Sequence, residues 1–403
     1  MKRYWTLLRT TPLLARLSLI QLIAYFGAWF SNIAIYTLLI QLHASPSIIA
    51  LVAALHFFAG VLQAPLSGVI IDRIAPKKLM IILTLIELSA TLSLIRIDSM
   101  DKIIWLYLLI ALRMGASSFQ FTVEMSLLPK IVQGKALQYA NEIHSIIWSL
   151  SYTAGMALGG FLVYTAGTTA AFVIDASLFS IVFVLLLGLK VEIQPSPKKE
   201  RFITMMGDTF DYIRKNPKVM HLMILHAVVG FTAFDALVVL SVERYYTSIL
   251  AVSLGIGLIH SARAMGLMIG PLFLGEWVNL HRLSFLLIAE ALAIVLWGVV
   301  IEYFYLALIA SVLVGLVTTT LWSYTYTLLQ AHTHYDYYGR VIAYNDMIFL
   351  STAGAVSLVI GILVDYHCPL GIIAALLGGA FALSSLYYRW IRHHYTLKEI
   401  ENA

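Results

Sequence analysis

Twelve apolar stretches recur along this chain, each close to the length that crosses a lipid bilayer. A hydrocarbon core of roughly 30 Å needs about twenty apolar residues in a helix. Within lipid a helix satisfies its own backbone hydrogen bonds, so each stretch is predicted to form a membrane helix. The stretches comprise residues 17–40, 48–71, 79–95, 103–128, 137–164, 169–189, 219–242, 249–274, 283–301, 304–329, 341–364 and 370–391.

The composition excludes a soluble fold, because only 12% of the residues are charged and 61% are hydrophobic. An average soluble domain has about 25% charged residues. The single cysteine, Cys368, excludes an intrachain disulfide. No zinc-protease, nucleophile-elbow or phosphate-loop motif occurs, so we expect no enzyme activity and no cofactor.

Basic residues are concentrated in the segments on the N-terminal side of the predicted spans. The opposite side holds only Arg96, Lys102 and Arg244. This asymmetry predicts that both termini are cytoplasmic in a multi-pass protein of the cell membrane, with the bacterial inner membrane as the expected location. The net charge of +5 is spread along the chain, so it indicates topology and no nucleic-acid partner.

A long polar stretch between spans six and seven divides the chain into two halves. Phe202, Met206, Phe210 and Ile213 recur there at helical spacing, which predicts an amphipathic helix at the membrane surface. The halves resemble each other: the fifth span opens with Tyr-Ala-Asn-Glu and the eleventh with Ala-Tyr-Asn-Asp. We therefore predict two pseudo-symmetric six-helix bundles. The predicted domains are residues 1–190, a linker at 191–218, and residues 219–403.

The loop between spans two and three carries a recognisable motif. Residues 68–78 read Gly-Val-Ile-Ile-Asp-Arg-Ile-Ala-Pro-Lys-Lys. This resembles the loop of the major facilitator superfamily, which has glycine where Ala75 stands. The resemblance implies the major facilitator fold and a cytoplasmic gate that opens during transport, although the basic residues are also explained by topology alone. The implied gate residues are Gly68, Asp72, Arg73, Lys77 and Lys78.

Span five contains Gly-Met-Ala-Leu-Gly-Gly at residues 155–160. This is similar to the Gly-Pro-x-x-Gly-Gly pattern of the exporting branches, with Met156 in place of proline. Gly155, Gly159 and Gly160 either permit close helix packing or form an antiporter hinge. Further segments are similar to the branch containing enterobactin and macrolide exporters, which implies a drug-like or siderophore cargo.

Charged groups in the middle of spans cost roughly 2.5–3.5 kcal/mol each and need a reason to be there. Arg113 lies in span four, and His260 and Arg263 lie in span eight. Asp235 is the expected partner of Arg263, whereas Glu124 or Glu142 is expected near Arg113. These pairs either couple transport to protons or hold helices in register. The resemblance places spans three and nine on the outside of the bundle, so Glu87 and Glu290 are predicted to be protonated packing residues or caps to neighbouring helices rather than transport sites. The predicted coupling and cavity residues are Asn32, Arg113, Glu124, Asp235, His260 and Arg263.

Other polar and aromatic residues have secondary predicted roles. Glu142, Arg340 and Asp346 are predicted gate residues near the cytoplasmic ends of spans five and eleven. An aromatic set either lines a substrate cavity or packs against lipid. Histidines within spans suit nickel or cobalt if they converge. The aromatic residues are Tyr25, Trp29, Trp148, Tyr152, Trp322 and Tyr326, and the histidines are His144, His226 and His260.

These features predict a secondary active transporter, with proton-coupled efflux of a small organic solute by alternating access. The expected partners are a small-molecule substrate, protons and the lipid bilayer, and the protein is expected to be a monomer. A nickel or cobalt exporter of the same fold is the alternative. A non-transporting receptor or scaffold is the alternative from another class.

Overall fold

The computed structural model describes residues 2–71, 74–133, 135–189, 202–334 and 337–397, which are almost entirely helical. A 3₁₀ turn, Met100–Lys102, precedes α5. The α-helices are α1 (Lys2–Thr10), α2 (Pro12–Gln41), α3 (Pro46–Ile71), α4 (Pro76–Leu94), α5 (Ile103–Ile131), α6 (Lys135–Leu187), α7 (Phe202–Lys215), α8 (Pro217–Ala227), α9 (Asp235–Ser241), α10 (Val252–Leu274), α11 (Leu283–Val299), α12 (Phe304–His332), α13 (Tyr338–Asp365) and α14 (Leu370–His394).

These helices confirm the predicted all-α membrane protein. Nine helical stretches among the described residues are long and apolar enough to cross a membrane. One of them lies in α6, whose 53 residues are interrupted at Gly167 by a positive φ of 85° that favours glycine. Two crossings therefore lie within α6. The shorter helices α4, with 19 residues, and α11, with 17, complete the set of twelve.

Prolines set the start of several spans. Pro12, Pro46, Pro76 and Pro217 are the first residues of α2, α3, α4 and α8. Proline lacks a backbone N–H, and the first turn of a helix has no acceptor for one, so proline is well tolerated there. Each of these helices begins a few residues before the predicted apolar stretch.

Span seven is broken, which corrects the prediction of one helix over residues 219–242. After α8 the chain forms a 3₁₀ turn, Val228–Thr232, then α9 and a π turn, Val242–Tyr246. Gly230 lies tightly against α13, where a Cβ would be 3.0 Å from the carbonyl oxygen of Phe349. The break leaves backbone carbonyls without helical partners, and they become available to side chains.

The chain folds as two compact units. Unit 1 comprises Met1–Ala44, Leu62–Lys198 and Ala251–Ser261, and unit 2 comprises Ser45–Val61, Lys199–Leu250 and Ala262–Ala403. The first part of α3 thus belongs to unit 2, and the first part of α10 belongs to unit 1. The domain limits predicted from the sequence halves did not include this exchange of segments.

Close helix contacts in unit 1 involve the three glycines predicted for packing. A Cβ on Gly155 would lie 2.9 Å from the Cβ of Trp29, and one on Gly159 would lie 3.0 Å from Cδ1 of Phe30. Gly160 faces α10, where a Cβ would be 2.6 Å from the carbonyl oxygen of Ser253. Small residues here let α6 approach both α2 and α10.

A helix is present in the linker, as predicted, but the side chains that it buries differ in part from the predicted apolar set. In α7 the side chains of Thr209 and Ile213 are buried, whereas Phe210 is 58% exposed. Tyr212 stacks on Tyr337, with ring centroids 4.2 Å apart. The linker residues before α7 lie outside the described part of the chain.

Candidate coupling and cavity site

A fully buried ion pair lies inside unit 1. Nη2 of Arg113 donates to Oδ2 of Asp175 at 2.8 Å, and the two side chains are 1% and 0% exposed. Nε of Arg113 donates to Oγ1 of Thr91 at 3.1 Å, and Ser31 donates to Asp175. Charges in such surroundings persist only when they are paired and hydrogen-bonded. Helices α2, α4, α5 and α6 each supply one member of this group.

Asp175 corrects the predicted partners of Arg113. Glu124 is eleven residues further along α5, roughly 16 Å at the helical rise, so it cannot reach Arg113. Asp175 lies in the second crossing of α6, and no role or partner was predicted for it. The cost of an intramembrane carboxylate was a signal that could have identified it.

Glu124 has neutral partners instead. It accepts hydrogen bonds from Nε2 of Gln21 at 3.0 Å, the hydroxyl of Tyr25 at 3.1 Å and Nε2 of Gln120 at 3.3 Å. The carboxyl group is buried between α2 and α5. Its three hydrogen-bond donors are all neutral, and no cation contacts the carboxyl group among the described residues.

Unit 2 contains the predicted pair between Asp235 and Arg263. Nη1 of Arg263 lies 3.5 Å from Oδ1 of Asp235, and the Asp235 side chain is 26% exposed. Nη2 of Arg263 also donates to the carbonyl of Thr232 at 2.6 Å, one of the carbonyls freed by the break in span seven. Phe234 lies beneath the guanidinium, 4.7 Å from its ring centroid. This pair is more open than the pair in unit 1.

Four predicted aromatic residues are in unit 1, and three of them form one cluster. The ring of Tyr152 lies 4.4 Å from Trp29 and 5.4 Å from Trp148, measured between centroids. The hydroxyl of Tyr152 is hydrogen-bonded to Nδ1 of His260 at 3.2 Å. Tyr25 lies apart from this cluster, in edge contact with His144. Trp148 is 38% exposed, so the cluster has an accessible face.

The remaining two predicted aromatic residues stack in unit 2. Trp322 and Tyr326 lie 4.8 Å apart with an interplanar angle of 18°. Both contact the buried ring of His226, whose Nδ1 is hydrogen-bonded to Thr325 at 2.9 Å. Trp322 is 38% exposed, like Trp148.

The histidines proposed as metal ligands have other neighbours. No group of three or more His, Cys, Asp or Glu side chains suited to a metal occurs in the part of the chain that the structure describes. His144 contacts aromatic rings, including that of Phe121. The alternative of a metal site built from His144, His226 and His260 therefore has no such group among these residues.

The predicted gate is only partly described. Asp72 and Arg73 lie outside the described residues, and Gly68 lies in the last turns of α3. Nζ of Lys77 donates to the carbonyl of Leu187 at 2.8 Å, at the C-terminal end of α6, where a cation is favourable. Lys78 is exposed.

The secondary gate residues have local partners. Glu142 accepts from Arg3 at 3.3 Å and from the hydroxyl of Tyr4 at 2.7 Å, so α1, which the sequence did not predict, reaches the start of α6. Nδ2 of Asn345 donates to Asp346 at 3.5 Å. Arg340 lies over the ring of Tyr337, 4.9 Å from its centroid.

The side chain of Asn32, a predicted cavity residue, is half-buried, and its Oδ1 has no hydrogen-bond partner among the described residues.

The fold is shared with solved transporters. The crystal structure of the nucleoside transporter NupG matches with a TM-score of 0.73 at 13% identity, over 94% of this chain and 99% of that chain. The POT family transporter PepTSo matches with a TM-score of 0.73 at 12% identity, over 94% of this chain and 98% of that chain. At such identity the likeness concerns the fold alone.

Two sequence comparisons agree with this fold. The chain is 26% identical over 217 residues to the "Uncharacterized MFS-type transporter YfiS" of Bacillus subtilis (strain 168). That alignment covers 52% of this chain and 51% of the relative, so it spans about half the length of each. The family model of the Major Facilitator Superfamily matches residues 17–248. Since this match covers more than half of the chain, the protein belongs to the Major Facilitator Superfamily.

Proposed function

We propose that this protein is a proton-coupled secondary transporter that exports a small organic solute by alternating access. The observation that carries the proposal is the Arg113–Asp175 pair, fully buried among membrane-spanning helices. A bundle without a transport role has no need of such costly charges. The more open Asp235–Arg263 pair supports the same reading, because a carboxylate that exchanges an arginine for a proton links protonation to conformation.

The aromatic clusters support an organic cargo. Each unit presents stacked rings with one partly exposed tryptophan, Trp148 or Trp322. Such rings bury apolar area and offer a polar edge, which suits a drug-like molecule or a siderophore. The glycine pattern of span five supports the proposed direction of transport, which is export, and the proposed place in the branch of enterobactin and macrolide exporters. The nickel or cobalt alternative has no grouped ligands among the described residues.

Flux in inverted membrane vesicles under an imposed pH gradient tests this proposal. The probes are ethidium, a macrolide, a catecholate siderophore, Ni²⁺ and Co²⁺. We expect at least one organic probe to be carried, and Asp235→Asn to lower gradient-driven uptake about tenfold, because the amide cannot exchange a proton. Asp98→Asn, in an exposed loop pair with Lys102, is the matched control and should retain full flux. Uptake of the metals alone, or flux independent of the pH gradient, contradicts the proposal.

We also propose that both termini are cytoplasmic and that the gate residues Gly68, Asp72, Arg73, Lys77 and Lys78 close the cavity on that side. The single cysteine gives a direct test of the topology. Cys368 is partly exposed between α13 and α14, on the side opposite the N-terminus if the chain crosses twelve times. A membrane-impermeant maleimide should therefore label Cys368 in intact cells, with Cys368→Ser as the unlabelled control. Labelling only after the cells are opened would reverse the proposed orientation.

A further inference from the structure

Two polar stripes face each other inside unit 1. On α4 the buried residues Thr84, Glu87 and Thr91 are spaced by three and four positions, so they share one face. On α5 the matching stripe is formed by Arg113, Ser117, Gln120 and Glu124. Thr91 accepts from Arg113 at 3.1 Å, and Thr84 donates to Gln120 at 3.2 Å. The α5 stripe runs along roughly 16 Å of helix, about half of a bilayer core, and the α4 stripe runs along roughly 10 Å.

Glu87 lies in the middle of this polar interior. Its side chain is 2% exposed, so it is buried against neighbouring helices and does not face lipid. Ser117 interacts with its carboxyl group, and the charges that act on it are those of Arg113, Asp175 and Glu124. Its Oε1 is buried without a hydrogen-bond partner among the described residues. An unpaired carboxyl oxygen at such depth is a natural place for a proton.

The charges of this interior do not balance when every acid is ionised. Among the described residues this interior has three buried carboxyl groups, those of Glu87, Glu124 and Asp175, and one guanidinium, that of Arg113. Asp175 uses this cation directly, so Glu87 and Glu124 are without an ion-pair partner in the stripe. Buried carboxyl groups in that position become neutral by binding protons. The titratable or charged groups that face the stripe from α2, α4, α5 and α6 are Tyr25, Glu87, Arg113, Glu124, His144 and Asp175.

We propose that Glu87 is the proton-binding site of unit 1, with Arg113 as the countercharge when the site is empty. This inference rests on the proposed function and adds a proton-exchanging carboxyl group in unit 1 to Asp235 in unit 2. On release the O–H bond of Glu87 breaks, the proton goes to water on the open side of the membrane, and the carboxylate is stabilised by the neighbouring guanidinium. Asp175 stays ionised and holds Arg113 in place.

Glu290 in unit 2 is a matched control. It is equally buried, its Oε2 also has no hydrogen-bond partner among the described residues, and it lies on span nine as Glu87 lies on span three. Thr318 donates to its Oε1 at 2.7 Å, a hydrogen bond that a glutamine oxygen also accepts. No second carboxyl group shares a direct hydrogen bond or ion pair with it among the described contacts. Glu290→Gln therefore changes one buried acid without touching the stripe.

The test compares two transport modes in proteoliposomes, with the organic probe that wild-type vesicles export. Counterflow exchanges labelled for unlabelled probe without net proton movement, whereas accumulation requires the pH gradient. In Glu87→Gln we expect counterflow within about twofold of wild type and accumulation reduced at least tenfold. Glu290→Gln should retain both modes. Glu87→Asp should restore accumulation with a displaced pH profile, which a merely structural role would not produce.

The outcomes separate this inference from the proposed function. If wild-type protein accumulates the probe and Glu87→Gln accumulates it equally, Glu87 is not the proton site, although proton coupling stands. If the wild-type protein shows counterflow but no response to pH, proton coupling itself fails. If Glu87→Gln loses both modes and Glu87→Asp recovers only counterflow, the residue is structural and the inference is overturned.

Discussion

Replacing Arg113 with methionine should abolish transport and cause one of the largest losses of stability of any single substitution in this chain. Arg113 is the only guanidinium in contact with Asp175 among the described residues, and both side chains are buried. Removing one member of a buried pair leaves an uncompensated charge, which costs about 3–5 kcal/mol. Thermal unfolding of the purified protein in detergent measures the loss, and vesicle flux measures the activity.

A double variant separates stability from function at this pair. Arg113→Met with Asp175→Leu removes both charges, and apolar replacement of a buried pair is often neutral or stabilising. We expect the double variant to recover the unfolding temperature of the wild type while transport stays lost. Lys102→Met serves as a surface control, because Lys102 pairs with Asp98 in an exposed loop. There its hydrogen bond lowers the pKa of the Asp98 carboxyl group. Equal unfolding temperatures for Arg113→Met and Lys102→Met would contradict the argument.

Gly315→Ala should strongly destabilise unit 2, because α10 and α12 cross there with their backbones in contact. A Cβ on Gly315 would press on the carbonyl oxygen of Arg263 and lie 2.8 Å from the amide nitrogen of Leu267. Backbone atoms cannot move aside as a flexible side chain does, so we expect a loss of about 1–3 kcal/mol. The displaced α10 also carries Arg263, so transport should fall with stability.

The matched control is Gly379→Ala in α14. A Cβ at Gly379 meets no atom within 4 Å. Alanine is favoured over glycine within a helix by about 1 kcal/mol, so this variant should be as stable as the wild type or slightly more stable. Unfolding temperature in detergent and the yield of monodisperse protein compare the two variants. A Gly315→Ala protein as stable as Gly379→Ala would mean that the two helices separate without cost.

The sequence was sufficient to predict the pair Asp235–Arg263 and the close helix contacts of the glycines in span five. Both arginines were expected because a charge in lipid has a known cost, and Asp235 was the nearest acid on a cavity-lining span. Gly155, Gly159 and Gly160 were expected at close contacts because small residues permit them. In each case one residue type in an apolar stretch was sufficient evidence. The gating, coupling and cavity roles remain predictions.

The sequence was not sufficient to predict the partner of Arg113, the polar surroundings of Glu87 or the helix α1. Asp175 is separated from Arg113 by two helix ends and a loop in sequence, and nothing in the spacing records which span faces which. Glu87 was predicted to pack against neighbouring helices, and the structure adds that it faces the polar stripe of α5. The contacts of Arg3 and Tyr4 with Glu142 also join distant segments.

The sequence by itself determined the solvent, the number of crossings and the positions of the buried charges. It did so because hydrocarbon imposes length and polarity on each helix separately, residue by residue along the chain. Only the tertiary structure decided which charges meet, where span seven breaks, and that the first parts of α3 and α10 belong to units 2 and 1, respectively. Those outcomes depend on how helices far apart in sequence rotate and approach, and a single span carries no record of its neighbours.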